Sequence, residues 1–232
     1  MTKSGAGKAR HRRSQGPPGR FPVLYPILDA ALALRGCSTD LDARWERLRA
    51  LVREMAGAGV EILQYRNKID DGVLVAQDAL AMREAAPSLK LILNDRLRLV
   101  AAAGWDGVHL GQDDASPAEA RALLGSSAII GLSTHTVEQV IAADREPVDY
   151  IAAGPIFSTT TKLDTSPVIG LEGIVRARAL TRKPLVAIGG ITRENAPAVY
   201  DAGADAVAVI SAIFATECGP RQSARDFLAI FK

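Results

Sequence analysis

Cysteine, histidine and aromatic residues are scarce in this 232-residue chain, which has two Cys, three His and 5% Phe, Trp and Tyr. Cys37 and Cys218 show neither CxxC spacing nor a partner histidine cluster, so the sequence indicates no zinc site and no disulfide framework. This cysteine usage is typical of a reducing compartment, and we expect a cytoplasmic protein. No apolar run approaches the roughly 20 residues of a membrane-spanning helix, and no apolar segment follows the basic N-terminus as in a secretory signal.

The few histidines also limit the catalytic chemistry that can be expected. His11, His109 and His135 do not have the spacing of a metal-ligand triad, and we expect each to be structural or solvated. No Ser–His–Asp or Cys–His arrangement stands out, so nucleophilic catalysis by a side chain is not indicated.

Charge is distributed unevenly, although the formal net charge is only +2. Residues 1–20 contain six Lys or Arg and no acid, whereas the rest of the chain contains 22 Lys or Arg and 26 Asp or Glu. The Gly, Pro and Ser content of residues 1–20 predicts a disordered basic tail, followed by one folded domain over residues 21–232. A mildly acidic domain argues against nucleic-acid binding. An arm for nucleic acid or an anionic membrane remains the alternative interpretation of the tail.

Short β-branched segments alternate with longer amphipathic segments from Phe21 onward, which predicts alternating strands and helices. The predicted strands are 23–28, 60–65, 90–93, 107–110, 128–132, 150–153, 185–188 and 206–210. The predicted helices are 40–56, 73–86, 116–124, 136–143, 171–180, 194–202 and 221–231. Ser116 followed by Pro117 is typical of a helix start, with a capping side chain and proline at the first helical position.

Eight strands alternating with helices predict a single α/β domain, a (β/α)8 TIM barrel, with a doubly wound open sheet as the competing architecture. The GxGxxG fingerprint of the open sheet is absent after the first strand, which favours the barrel. The first strand is the weakest prediction, because Pro26 interrupts it and proline is poorly tolerated in a paired strand.

Polar and glycine-rich clusters follow nearly every predicted strand. In a barrel these segments converge on the face that carries the active site. The clusters lie at 64–68 (QYRNK), 94–95 (ND), 109–114 (HLGQDD), 131–135 (GLSTH), 154–162 (GPIFSTTTK), 189–190 (GG) and Ser211.

The clusters contain the residue types that bind phosphate and a divalent cation. Gln64, Arg66 and Lys68 alternate along one face of an extended segment, and Arg with Lys suits phosphate oxygens. Two carboxylates at adjacent strand ends, Asp95 and Asp114, with phosphate oxygens and water, are a normal Mg²⁺ site. Chemistry alone leaves Asp113 as a substitute for Asp114.

A second anion site is predicted after strands seven and eight, at Gly189–Gly190 and Ile210–Ser211. Backbone N–H groups and a helix N-terminus commonly hold a phosphate at this place in a barrel. Two anion sites in one mouth imply a phosphorylated acceptor and a pyrophosphate donor.

In this order, the clusters resemble thiamine phosphate synthase over roughly residues 21–215. The resemblance implies that hydroxymethylpyrimidine pyrophosphate is joined to thiazole phosphate, giving thiamine phosphate and pyrophosphate. It implies that the pyrophosphate leaves first and that the thiazole nitrogen captures the pyrimidine cation. Mg²⁺ is the implied cofactor, and the two small molecules are the implied partners; a homo-oligomer is compatible with the sequence.

The resemblance also implies a role for each matching residue. Asp95 and Asp114 hold Mg²⁺, while Ser133, Lys162 and Arg66 act on the breaking bond and its leaving group. The pyrimidine pyrophosphate is bound by Gln64, Arg66, Lys68, Asn94, Ser133 and Lys162. The thiazole phosphate is bound by Thr159, Thr161, Gly190, Ile210 and Ser211. The long loop over 154–170 is expected to act as a lid.

Two other functions share the expected fold. A thiazole tautomerase is an isomerase that would not need the complete pyrophosphate and metal set present here. A non-catalytic sensor of thiamine precursors would keep the ligand residues, but no attached output domain is visible in the sequence.

Overall fold

The computed structural model describes residues 21–37, 40–159 and 167–231. Within them, eight parallel strands form a closed barrel in chain order, which confirms the predicted (β/α)8 architecture. The strands are β1 (Leu24–Asp29), β2 (Ile62–Arg66), β3 (Lys90–Asn94), β4 (Gly107–Leu110), β5 (Ile129–Thr134), β6 (Tyr150–Ala153), β7 (Leu185–Ile188) and β8 (Ala206–Val209). The predicted basic tail, Thr161 and Lys162 lie outside the described residues, as do the other residues of 160–166 in the predicted lid.

Helices surround the barrel, and the seven predicted ones are confirmed with shifts of at most two residues at their ends. Three short helices, α1, α4 and α9, were not predicted; α1 and α9 have four residues each, which is too few to show helical periodicity. The helices are α1 (Ala30–Ala33), α2 (Leu41–Ala58), α3 (Gly72–Ala85), α4 (Leu97–Ala102), α5 (Pro117–Leu124), α6 (Val137–Arg145), α7 (Gly170–Leu180), α8 (Ala196–Asp201), α9 (Ser211–Phe214) and α10 (Pro220–Ala229). The predicted cap is confirmed, since Ser116 Oγ accepts from the Glu119 N–H at 3.1 Å. No helix among the described residues is long and apolar enough to cross a membrane.

Alternation along the strands divides the apolar residues into two layers. One layer lies between strands and helices and includes Leu63, Met82 and Phe227. The other fills the barrel and includes Tyr25 and Tyr150. Above the inner layer, the inward positions of the same strands become polar, which opens a mouth at the carboxyl ends of the strands.

The pairing confirms the first predicted strand and lengthens the fifth. Pro26 lies inside β1 and is in register with Val209 of β8, although proline lacks the donor of a ladder bond. All six residues of β1 are buried, and this burial outweighs the missing donor. Strand β5 was predicted to end at Leu132 but continues through Thr134, because Ser133 and Thr134 still pair with β6.

Three similar Asp–Arg units hold the opposite, amino-terminal ends of the strands. In each unit an Asp preceding an even strand accepts the backbone N–H of the preceding odd strand and pairs with an Arg from the helix before that odd strand. For Asp149 these contacts are 2.7 Å from the Ile130 N–H and 2.7 Å from Arg121 Nη2. The three units are Asp106 with Arg83, Asp149 with Arg121, and Asp205 with Arg178.

Candidate active site

A cavity of about 1110 Å³ opens at the carboxyl ends of the strands. The site residues predicted from sequence line it wherever they are described, although they come from β2, β3 and β5 and from the segments that follow β2, β3, β4, β6, β7 and β8. The predicted residues in its wall are Gln64, Arg66, Lys68, Asn94, Asp95, Asp114, Ser133, Thr159, Gly190, Ile210 and Ser211. The fold therefore brings the predicted set together.

The predicted face of β2 is formed, but its cations are already paired within the protein. Arg66 Nη1 donates to Asp29 at the end of β1, and Lys68 Nζ donates to Asp95 at the end of β3. Asp29 is only 5% exposed and was missed by the sequence reasoning. Its position directly after the first predicted strand was the signal that could have identified it. Both cations therefore reach the cavity with their positions fixed by carboxylates.

Asn67 is a second residue that the sequence reasoning did not single out, and it shapes the loop after β2. Its Oδ1 accepts the backbone N–H groups of Ile69 and Asp70, each at 3.1 Å. Its Nδ2 donates to Tyr65 Oη at 3.0 Å and to Asp70 Oδ2 at 2.8 Å. These bonds close the loop next to Lys68. The Lys68 ammonium group donates to Asp95 from this loop.

The carboxylates of Asp95 and Asp114 face one another across the ends of β3 and β4. Asp95 has a φ of 62°, a left-handed conformation that Asp and Asn tolerate better than most residues. The Gly111 N–H donates to Asp114 Oδ2 at 2.7 Å. Burial and the neighbouring Asp114 carboxylate raise the pKa of Asp95 above its ordinary value, although Lys68 works in the opposite direction. Their proximity supports Asp114 rather than Asp113 as the partner of Asp95.

This pair of carboxylates fits a hard divalent cation. Both side chains supply oxygen ligands, and a cation between them would relieve the repulsion that raises the pKa of Asp95. Within the described ranges no group of three or more His, Cys, Asp or Glu converges. Two carboxylates leave room in the shell of such a cation for substrate oxygens or water.

The wall formed after β7 and β8 is built around a crowded glycine. Gly190 has a φ of 62°, and a Cβ there would lie 2.5 Å from the Ser158 carbonyl oxygen. Asn195 holds this turn, donating to the Gly190 carbonyl at 3.1 Å and accepting the Thr192 N–H at 2.8 Å. The segment after β8 passes through Ile210 into the short α9. Backbone therefore comes close to the cavity at the place where a phosphate was predicted.

A chain of buried hydrogen bonds, which we call the buried chain, joins Gln64 on β2 to Ser133 on β5. Gln64 Nε2 lies 3.1 Å from Tyr25 Oη, and Tyr25 Oη lies 2.8 Å from Tyr150 Oη. His109 then joins Tyr150 Oη through Nδ1 and Ser133 Oγ through Nε2, each at 2.8 Å. Sequence reasoning took His109 as structural or solvated, but it lines the cavity in direct contact with Ser133.

His135 also lines the cavity, next to the end of β5. Its Nδ1 lies 2.6 Å from the Gly154 carbonyl, and its N–H donates to Gln139 Oε1 at 2.6 Å. The ring therefore connects β5 to the loop after β6, as expected for a structural histidine.

Comparisons with known proteins agree on one family. The family model described as thiamine monophosphate synthase matches residues 37–213. A thiamine-phosphate synthase of Koribacter versatilis is 46% identical over 212 residues, covering 91% of this chain and 96% of the relative. One of Azorhizobium caulinodans is 45% identical over 180 residues, covering 76% and 85%.

Solved structures agree with these sequence comparisons. A thiamine phosphate pyrophosphorylase from Pyrococcus furiosus superposes with a TM-score of 0.76 and 29% identity, covering 90% of this chain and 95% of the other. A structure described as native KDPGal superposes with a TM-score of 0.66 at 15% identity, covering 90% and 93%. The second likeness shows the fold alone.

Proposed function

This chain belongs to the thiamine monophosphate synthase family and is a transferase, and we propose that its barrel mouth joins 4-amino-5-hydroxymethyl-2-methylpyrimidine pyrophosphate to thiazole phosphate. The products are thiamine phosphate and pyrophosphate. The observation that carries this proposal is the convergence of the predicted anion-binding and metal-binding residues on one cavity. The proposed domain is residues 21–232, with residues 1–20 as a separate tail.

The pyrophosphate subsite lies between β2, β3 and β5. Arg66 and Lys68 supply positive charge, and Asn94 and Ser133 supply neutral donors toward the same part of the cavity. Asp95 and Asp114 would hold Mg²⁺, which supplies Lewis-acid stabilisation of negative charge on the pyrophosphate oxygens. The carboxylates that pair with Arg66 and Lys68 hold both cations in position before substrate arrives, which lowers the entropy cost of binding.

Bond cleavage transfers negative charge onto the leaving group. The bond between the pyrimidine methylene carbon and the bridging oxygen breaks, and its electron pair leaves with the pyrophosphate. Arg66, Lys68 and Ser133 stabilise that charge, and Lys162 is assigned the same role from the sequence. The thiazole nitrogen then donates its lone pair to the methylene carbon, so the step needs no general base.

The thiazole phosphate subsite lies after β7 and β8. Gly190 allows the phosphate to approach backbone, and Ile210 and Ser211 begin the short helix beside it. Thr159 lies in the same wall, and Thr161 is assigned to this subsite from the sequence. This arrangement separates the acceptor phosphate from the leaving group, which keeps the two anions from competing for one site.

Pyrophosphate release by the purified full-length protein tests the proposal directly. With both substrates and Mg²⁺ we expect stoichiometric pyrophosphate and thiamine phosphate, and omission of either substrate should abolish both products. Release without thiazole phosphate would instead indicate hydrolysis. Binding of thiazole phosphate without any release would indicate a tautomerase or a sensor of the same fold.

A further inference from the structure

The buried chain connects two opposite walls of the cavity through the interior of the barrel. Its end residues, Gln64 and Ser133, line the cavity, whereas Tyr25 and Tyr150 lie beneath the lining residues and are 1% and 0% exposed. Burial raises the pKa of both tyrosines well above the ordinary value, so each hydroxyl keeps its proton and donates one hydrogen bond. Each tyrosine in the buried chain therefore donates a hydrogen bond to only one of its two neighbours and accepts one from the other.

The buried chain has a direction, because each bond fixes the next one. Gln64 Nε2 can only donate, so Tyr25 Oη accepts from it and uses its own proton toward Tyr150. In this direction Tyr150 donates to His109 Nδ1, and the ring proton on Nε2 is donated to Ser133 Oγ. At the two ends, the Ser133 proton and the Gln64 Oε1 acceptor are left for the cavity.

The opposite direction would present the opposite groups. If Gln64 Oε1 accepted from Tyr25, every bond would reverse, and Ser133 would spend its proton on His109. Gln64 would then offer N–H donors to the cavity, and Ser133 would offer only lone pairs. An anion next to Ser133 requires a donor, so pyrophosphate selects the first direction.

We propose that the buried chain couples recognition of the two parts of the pyrimidine substrate, an inference that rests on the proposed function. Tyr25, Tyr150 and His109 are positioning residues in it. They hold Ser133 as a donor to the pyrophosphate and Gln64 as an acceptor for the amino group of the pyrimidine. The direction of hydrogen bonding in which Ser133 donates to the anion also leaves Gln64 Oε1 as an acceptor. An acceptor there can bind an amino group but not an oxo group.

The packing around Tyr150 supports a precise position for its hydroxyl. A Cβ on Gly131, which faces Tyr150 on the neighbouring strand, would lie 2.0 Å from the tyrosine ring. The His109 and Tyr150 rings stack at a centroid distance of 5.6 Å and an interplanar angle of 18°. The absence of a side chain on one strand thus creates the space that the middle of the chain occupies.

Discrimination between two substrates tests the inference. The probes are the 4-amino pyrimidine pyrophosphate and its 4-oxo counterpart, each measured with thiazole phosphate and Mg²⁺ for kcat/KM and, in separate titrations, for affinity. In Tyr25→Phe and Tyr150→Phe, which break the chain, we expect the preference for the amino substrate to fall roughly tenfold. Tyr200→Phe is the matched control, because its hydroxyl bonds to the Val23 carbonyl at the far end of the barrel.

A double-mutant cycle measures the coupling itself. Ser133→Ala is expected to reduce the amino preference in the wild-type background but to change it little in the Tyr150→Phe background. Unchanged preference in both tyrosine variants, with full synthase activity, would overturn the inference and leave the proposed function intact. A wild-type protein that releases no pyrophosphate from either substrate would overturn the proposed function and this inference together.

Discussion

The two ends of the barrel differ in how their charged residues are arranged. At the amino-terminal ends of the strands, three Asp–Arg units repeat the same contacts around the barrel. At the carboxyl-terminal ends, by contrast, different strands contribute different side chains, and each position in the cavity wall is chemically distinct. Repetition at one end indicates a shared structural task, and variety at the other indicates recognition of an asymmetric ligand.

One carboxylate from each end shows the same contrast in its energetics. Although burial works in the opposite direction, hydrogen bonds from the Leu91 N–H, Lys90 and Arg83 lower the pKa of Asp106. At the mouth, burial and the neighbouring Asp114 raise the pKa of Asp95. The ionised form of Asp106 therefore stabilises the fold, whereas the ionised form of Asp95 destabilises it. A cation bound at Asp95 would offset that destabilisation.

Replacing Asp95 should have the largest effect on activity and little effect on the fold. Asp95→Asn keeps a residue that tolerates a φ of 62° but removes one cation ligand. We expect roughly a 100-fold or greater loss of kcat/KM, with an unchanged or slightly higher melting temperature. Steady-state kinetics and thermal unfolding, each with and without Mg²⁺, measure both effects. Loss of the fold in this variant would contradict the contrast between the two ends.

The crowded glycine at the mouth can be compared with one of similar conformation elsewhere. Gly190 and Gly104 have φ values of 62° and 63°, but a Cβ on Gly104 would meet nothing within 4 Å. Gly190→Ala is expected to raise the KM for thiazole phosphate about tenfold or more because the turn must move. Gly104→Ala should cost about 1 kcal/mol of stability and leave that KM unchanged. Equal KM values in the two variants would argue against a phosphate subsite at Gly190.

Asp29 provides a smaller test of the mouth. Asp29→Asn keeps the shape of the side chain but removes the carboxylate that positions Arg66. We expect the KM for the pyrimidine pyrophosphate to rise several-fold to tenfold, with a smaller change in kcat, because Arg66 keeps its charge but loses its orientation. An unchanged KM would show that substrate alone orders Arg66.

Substitutions at the amino-terminal ends of the strands should lower the stability of the protein and leave its activity unchanged. Asp149→Asn and Asp205→Asn each remove an ion pair and weaken a strand-end hydrogen bond. We expect a loss of about 1–3 kcal/mol for each, or a decrease of roughly 2–12 °C in melting temperature, and KM values within about twofold of wild type. Additive losses in the double variant would confirm that the units act independently.

The smallest expected effect is a change with pH in the stability difference between the wild type and Asp106→Asn. Because the folded pKa of Asp106 is lower than its ordinary value of 3.8, its contribution is fully present above that value. The contribution is lost as the pH falls through the lower, folded-state pKa. We therefore expect the stability advantage of the wild type over Asp106→Asn to be constant near neutral pH and to shrink below about pH 4. Urea unfolding at a series of pH values measures it, and an advantage that grows on acidification would reverse the assigned sign.

Much of the mouth was predictable, because alternation of side chains and the direction of parallel strands are properties of the sequence pattern. Gln64, Arg66 and Lys68 share a face through their spacing alone, and Asp95 and Asp114 follow strands that must be neighbours in a barrel. The roles of these residues stay predictions, but their convergence does not depend on detailed packing. The longer helices, such as α2 and α3, were predictable for the same reason, since each spans enough turns for its apolar stripe to repeat.

Other features depended on contacts between residues far apart in sequence. Asp29 gains its role from Arg66 on the next strand, and His109 gains its position from Tyr150 and Ser133 on two others. The sequence by itself determined the order of the strands, the end of the barrel where polar residues gather and the charge of that end. Only the tertiary structure decided which cation pairs with which carboxylate and which buried hydroxyls touch, because hydrogen bonds depend on distances that no local pattern encodes.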